Sequence, residues 1–171
     1  ELLDIIKSNV GSGVTARSTR LNSSSIPLEH PLVKRALEMG CVPIVNENDS
    51  VSVEGVKFGD NDTLSAYVAV SAKADLLVIL SDVDGLYSAD PHTDKSAKLI
   101  ERVHGMPESI FSLGGGAGSA LGTGGMKTKL NAAKICVEKG VDMVIANGND
   151  PDILYDIIEG KDVGTRFISK G

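Results

Sequence analysis

Cations are in the minority in this chain: 17 Lys and Arg stand against 23 Asp and Glu, giving a formal net charge of -6 and a pI near 5.0. A sequence-independent hold on nucleic acid or on an anionic membrane needs the opposite surplus, so neither is expected as a partner; a small anion can still be held by a few local cations or a metal. Cysteine and histidine are scarce as well. Cys41 and Cys136 lie far apart and form no C-x-x-C pair, so neither a disulfide framework nor a zinc site is indicated, and both are expected as reduced thiols in the core. His30, His92 and His104 are scattered in turn-like surroundings, which argues against a histidine-based nucleophile relay. No stretch approaches the roughly 20 apolar residues of a membrane span. The first residues lack the shape of a signal peptide, and a cytoplasmic location is the expectation.

With 171 residues, 42% of them hydrophobic, the chain suits one well-buried domain and is too short for two of ordinary size. From residue 41 onward, short apolar runs alternate with helical segments, the pattern of parallel strands joined by crossover helices. Strands are expected over 41–46, 75–82, 98–103 and 141–146, with a last edge strand over 165–169. Helices are expected over 31–39, 64–73 with its N-cap at Asp60, Asn61 or Asp62, 126–139 stopped by Gly140, and from Pro151 to Ile158 closed by Gly160.

The most informative segment is the glycine-rich run from Gly114 to Lys129, which opens onto one of these helices. Glycines let backbone N–H groups approach an anion closely, and a helix beginning there adds its positive end, so the segment suits phosphate. Met126 stands where a P-loop needs the glycine before its lysine, and no G-x-G-x-x-G register fits, so a different nucleotide-binding architecture is implied. In open α/β sheets ligands collect at the carboxyl ends of strands. There the apolar runs are followed by Asn46-Glu47-Asn48-Asp49, by Ser81-Asp82-Val83-Asp84-Gly85 and by Asn147-Gly148-Asn149, with Gly59-Asp60-Asn61-Asp62 at a helix start. Each cluster also suits a plain turn or cap, since Asn, Asp and Gly are turn residues. Their recurrence beside a lysine-bearing glycine loop favours a site. Phosphoryl transfer fits this inventory, because it needs positioning and cations more than a covalent nucleophile. Lys127 would neutralise phosphate charge, Asp62 would fix lysine and backbone donors, and carboxylates would recruit magnesium; Lys129 and Lys134 are expected as solvated helix positions.

Four motifs in this order, Val42 to Val51, Lys57 to Ala66, Ser81 to Tyr87 and Gly122 to Lys129, resemble the amino acid kinase family, most closely its glutamate-phosphorylating members, over about residues 41 to 168. The resemblance implies an α/β fold, a mostly parallel open sheet sandwiched by helices, of carbamate kinase-like type. It implies ATP and Mg2+ as cofactors and L-glutamate as substrate, held by Asn46, Asp49 and Asn61. Asp62 and Lys127 would be catalytic, Ser81, Asp82 and the loop Gly122, Thr123, Gly124, Gly125, Met126 and Lys127 would bind the nucleotide, and Asp60 would lie near the metal. The product would be γ-glutamyl phosphate, on the way to proline. Acetylglutamate or aspartate as acceptor, or a non-catalytic amino-acid-binding fragment, are the alternatives; a homo-oligomer and proline as feedback ligand are further implications. The family's opening strand, with its lysine and Gly-Ser-Ser-like turn, is not found in residues 1–40. Those residues are expected as a poorly matched remnant of an incomplete N-terminal part, with 41–171 as the nucleotide-binding part and no RNA-binding-like C-terminal domain.

Overall fold

The computed structural model describes residues 19–21, 31–47, 60–113 and 125–169. Strand β1 (Thr19–Leu21) pairs in parallel with β2 (Val45–Glu47), setting Arg20 opposite Asn46. Between them α1 (Pro31–Glu38) opens on proline, whose fixed φ suits a first helical turn, and stops before Gly40 at φ +69°. β2 starts at Val45 rather than at Cys41, because Pro43 has no N–H to give a ladder. Cys41 is consequently exposed and not the core thiol expected, whereas Cys136 is buried.

Helix α2 (Asn61–Ser71) is capped by Asp60, whose Oδ1 accepts from the Thr63 N–H at 2.6 Å and whose Oδ2 accepts from the Thr63 hydroxyl at 3.0 Å. Such a cap is worth about 1 kcal/mol and fixes where the helix begins. There follow β3 (Leu76–Ser81), β4 (Arg102–His104), α3 (Glu108–Leu113), α4 (Gly125–Glu138), β5 (Asp142–Asn147), α5 (Ile153–Ile158) and β6 (Thr165–Ile168). Among the described residues no helix is long and apolar enough to cross a membrane.

The larger sheet runs β3-β5-β6-β4, with β3 and β5 parallel, β4 and β6 parallel, and β5 and β6 antiparallel. The mostly parallel character is as expected; the position of β6 is not. Instead of forming an edge, β6 lies inside the sheet, and β4 takes the edge. The chain can turn back beside β5 because Gly164 sits at φ +68°, where a side chain would run into the Ile145 carbonyl oxygen. The next residue, Thr165, is fully buried and its Oγ1 accepts from the Leu86 N–H at 2.8 Å, tying the segment after β3 to β6.

β5 is the centre of the molecule. Met143 and Ile145 face a core shared with Leu130, Ala133 and Cys136 of α4 and Ala66 of α2, whereas Val144 and Ala146 pack with Ile157 of α5 on the opposite face. Alternation along a strand sends successive side chains to opposite faces, so a strand buried throughout must be covered on both sides. Burying each of the larger side chains, such as Phe167, Met143 or Ile145, contributes about 1.5–3 kcal/mol. Ala66, Ala69, Ala132 and Ala133 let α2 and α4 approach closely, and that contact builds the site.

Candidate functional site

The parallel pairing of β3 with β5 puts Ser81 directly opposite Asn147 at their carboxyl ends. Beyond this rim opens a cavity of about 330 Å³, walled by the Ser81-to-Asp84 turn, Tyr87, the Asp90-to-His92 turn, Leu113 and the start of α4 at Gly125, Met126 and Lys129. Ser81, Asp82, Gly125 and Met126 are thereby brought together around one cavity.

Asp62 stands in the first turn of α2, and the close α2–α4 packing carries it to the start of α4. Lys129 Nζ donates to Asp62 Oδ2 at 3.1 Å, with only 13% of the lysine and 20% of the aspartate side chain exposed. Thr128 Oγ1 lies 2.7 Å from the same Oδ2 and 2.9 Å from the Gly125 carbonyl oxygen. Its single proton serves one acceptor at a time, and the carboxylate is the stronger. Lys129, expected as a solvated position, is therefore drawn into the protein, whereas Lys134 is exposed, 3.9 Å from Glu138. Lys127 is exposed, with no ion pair among the described residues. Two residues apart on a helix are about 200° apart around its axis, so Lys127 and Lys129 cannot face the same neighbour. A sequence signal for Lys129 exists: Ala132, Ala133 and Cys136 follow it at i+3, i+4 and i+7, the spacing of the buried stripe.

Carboxylates ring the same region. Ser81 Oγ donates to Asp82 Oδ1 at 3.0 Å. Asp84 accepts from Asn147 Nδ2 on Oδ1 at 2.8 Å and from the Tyr87 hydroxyl on Oδ2 at 3.0 Å. That hydrogen bond, then partial burial, then the carboxylate's charge, raise the Tyr87 phenol above its ordinary value. Asp60 is occupied by the cap, though each of its oxygens keeps a lone pair for another partner. Among the described residues no three His, Cys, Asp or Glu side chains gather as a metal-holding group. Asn61 is exposed on the first turn of α2, and Asn46 lies in β2. Asp49, Gly122, Thr123 and Gly124 fall outside the described residues.

Comparison with known proteins gives a consistent result. Glutamate 5-kinase of Clostridium perfringens (strain 13 / Type A) is 50% identical over 138 residues, 78% of this chain and 51% of that protein. Glutamate 5-kinase of Clostridium acetobutylicum is 54% identical over 134 residues, covering 78% and 50%. Glutamate 5-kinase of Carboxydothermus hydrogenoformans is 55% identical over 134 residues, covering 78% of this chain and 36% of its own length. The chain thus spans about half the length of the two clostridial relatives, and less of the third. In fold, UMP kinase from Bacillus anthracis superimposes with a TM-score of 0.61 at 19% identity, covering 99% of this chain and 66% of that one. The isopentenyl phosphate kinase product complex of T. acidophilum does so with a TM-score of 0.60 at 23% identity, covering 97% and 66%. The model of the amino acid kinase family matches residues 6–147, and the chain belongs to that family.

Proposed function

We propose that this chain carries the nucleotide half of an ATP-dependent kinase that phosphorylates the side-chain carboxylate of L-glutamate. The observation that supports this most is the largely buried Lys129–Asp62 pair beside a cavity at the carboxyl ends of β3 and β5. A carboxylate oxygen of glutamate attacks the γ-phosphorus, the bond to the β,γ-bridging oxygen breaks, and γ-glutamyl phosphate and ADP result. Two anions must meet for this, so a cation held at fixed geometry lowers the barrier more than a mobile one. Lys129 supplies that cation, Asp62 and Thr128 aim it, and Lys127 adds charge at the exposed side of the same helix turn. Ser81, Asp82, Met126 and the glycine loop from Gly122 through Gly125 contact the nucleotide. Asn46, Asp49 and Asn61 hold the glutamate, Asp49 on its ammonium group.

Magnesium fits the donor set. It binds through one or two carboxylates plus substrate phosphates and keeps several waters, so the absence of a three-carboxylate cluster among the described residues is compatible with it. Asp60 is the carboxylate that would help to hold it, and when bound the ion would neutralise phosphate charge. Residues 41–171 are the nucleotide-binding part in this proposal. A homo-oligomer with proline as a feedback ligand completes it, tested by sedimentation with and without proline.

The direct test is ADP release from MgATP with L-glutamate, L-aspartate or N-acetyl-L-glutamate as acceptor. Release stimulated by L-glutamate is expected; stimulation by another acceptor alone, or none in a folded sample, overturns the proposal.

A further inference from the structure

Asp84 is an exposed carboxylate on the cavity wall, placed where a metal ligand or a structural brace would each be plausible chemistry. Its hydrogen bonds favour the brace: each oxygen keeps a lone pair, as in Asp60, but where both Asp60 oxygens bond Thr63 alone, those of Asp84 tie together two separate segments. Oδ1 takes the Asn147 amide at the end of β5 and Oδ2 takes the Tyr87 hydroxyl, so the two oxygens are engaged in different directions by different elements. Each partner is itself anchored. Asn147 Oδ1 accepts from the Asn149 N–H at 2.9 Å, and the neighbouring Gly148 N–H donates to the Ser81 carbonyl at 2.7 Å. Tyr87 bridges to Leu99, next to Leu86 with its bond to buried Thr165. Asp84 is therefore the joint between two anchored pieces of the rim.

We propose that Asp84 is a positioning residue for a nucleoside diphosphate: a brace that fixes the Asp82-to-Tyr87 wall against the end of β5, and not a metal ligand. This rests on the cavity being the nucleotide site. A wall already ordered leaves less conformational freedom to be lost on binding, so the brace acts on nucleotide affinity whether or not a metal accompanies the nucleotide. Among the described residues its hydrogen bonds go to Tyr87 and Asn147 and to none of the residues proposed for glutamate, so that affinity is expected to stay unchanged.

The test is calorimetric titration of the full chain with ADP, once with excess magnesium and once with EDTA, and separately with L-glutamate. Asp84→Ala is expected to weaken ADP about 5–10-fold in both conditions, and Tyr87→Phe about 2–3-fold. The double variant should add little to Asp84→Ala, since both remove one network. Asp84→Asn keeps one accepting oxygen and should recover part of the loss; should Asp84→Ala fail to fold, Asp84→Asn and Tyr87→Phe carry the same comparison. A loss seen only with magnesium makes Asp84 a metal ligand and overturns the proposal, as does unchanged ADP affinity or an equal loss for glutamate. If the unaltered chain binds no ADP, the nucleotide assignment falls together with the brace; if it does and the variants match it, the brace alone falls.

Discussion

Two lysine–carboxylate clusters in this molecule look alike by distance and differ in everything else. Lys161 lies 2.6 Å from Asp156 and 2.9 Å from Glu159, both shorter than the 3.1 Å between Lys129 and Asp62. Yet Lys161 is 56% exposed, lies a few residues from its partners in sequence, and its high pKa comes from hydrogen bonds made in open solvent. Lys129 is 13% exposed, and its partner is 67 residues away on another helix. Water screens the first cluster, and holding its exposed side chains in one geometry costs rotamer entropy, so the contact contributes little. In the second, packing holds the geometry whether or not the charges attract. Burial and anchoring, rather than the shortest distance, mark the pair suited to chemistry.

Breaking that contrast at Asp62 should have the largest effect. Asp62→Ala should lower turnover about 10²–10³-fold, because Lys129 loses its orientation as well as its partner. The same variant leaves Lys129 nearly enclosed without a counter-charge, at a stability cost of roughly 1–3 kcal/mol by chemical unfolding. Cysteines sharpen the comparison next. Burial pushes the Cys136 thiol up to about 12, whereas Cys41 is exposed. Iodoacetamide at pH 8 should therefore label Cys41 at least about 100-fold faster, as peptide mass mapping would report. Because the folded Cys136 holds its proton above the ordinary 9.0, the unfolded chain loses it first, so stability falls as pH rises from 9 toward 12.

A smaller effect is expected at Thr128. Thr128→Val removes the hydroxyl that shares Asp62, and should lower kcat about 10-fold with KM for ATP nearly unchanged; Thr128→Ser should restore most of it. The smallest is at Lys161. Lys161→Ala should leave turnover and melting temperature unchanged within error; a clear loss would break the contrast drawn here.

Much of the fold was legible because its signals are local. Unbroken apolar runs at 76–80 and 143–146 mark the strands, though only the second is buried along its length, since Leu80 of the first is exposed; glycines at 140 and 160, both at positive φ, stop the helices before them. The inward position of β6 was not legible, since it depends on Gly164 fitting against the Ile145 carbonyl, a contact between segments 19 residues apart that leaves no periodic trace. The candidate site divides in the same way. The polar rim could be read from residues that follow apolar runs. The choice between Lys127 and Lys129 depended on which face of α4 meets α2, and a glycine-rich approach to that helix drew attention to the first lysine rather than to the buried stripe. The Asp84 brace could not be foreseen, because Asn147 follows Asp84 by 63 residues, a separation that no local pattern bridges.

The most direct measurement is L-glutamate-dependent ADP release from MgATP for the unaltered chain, Lys129→Met and Lys127→Ala side by side. Lys129→Met should lose about 10²–10³-fold in kcat while Lys127→Ala loses less than about 10-fold. The reverse order, with Lys127→Ala abolishing transfer and Lys129→Met retaining it, would contradict the assignment of the anchored pair as the phosphoryl-handling centre.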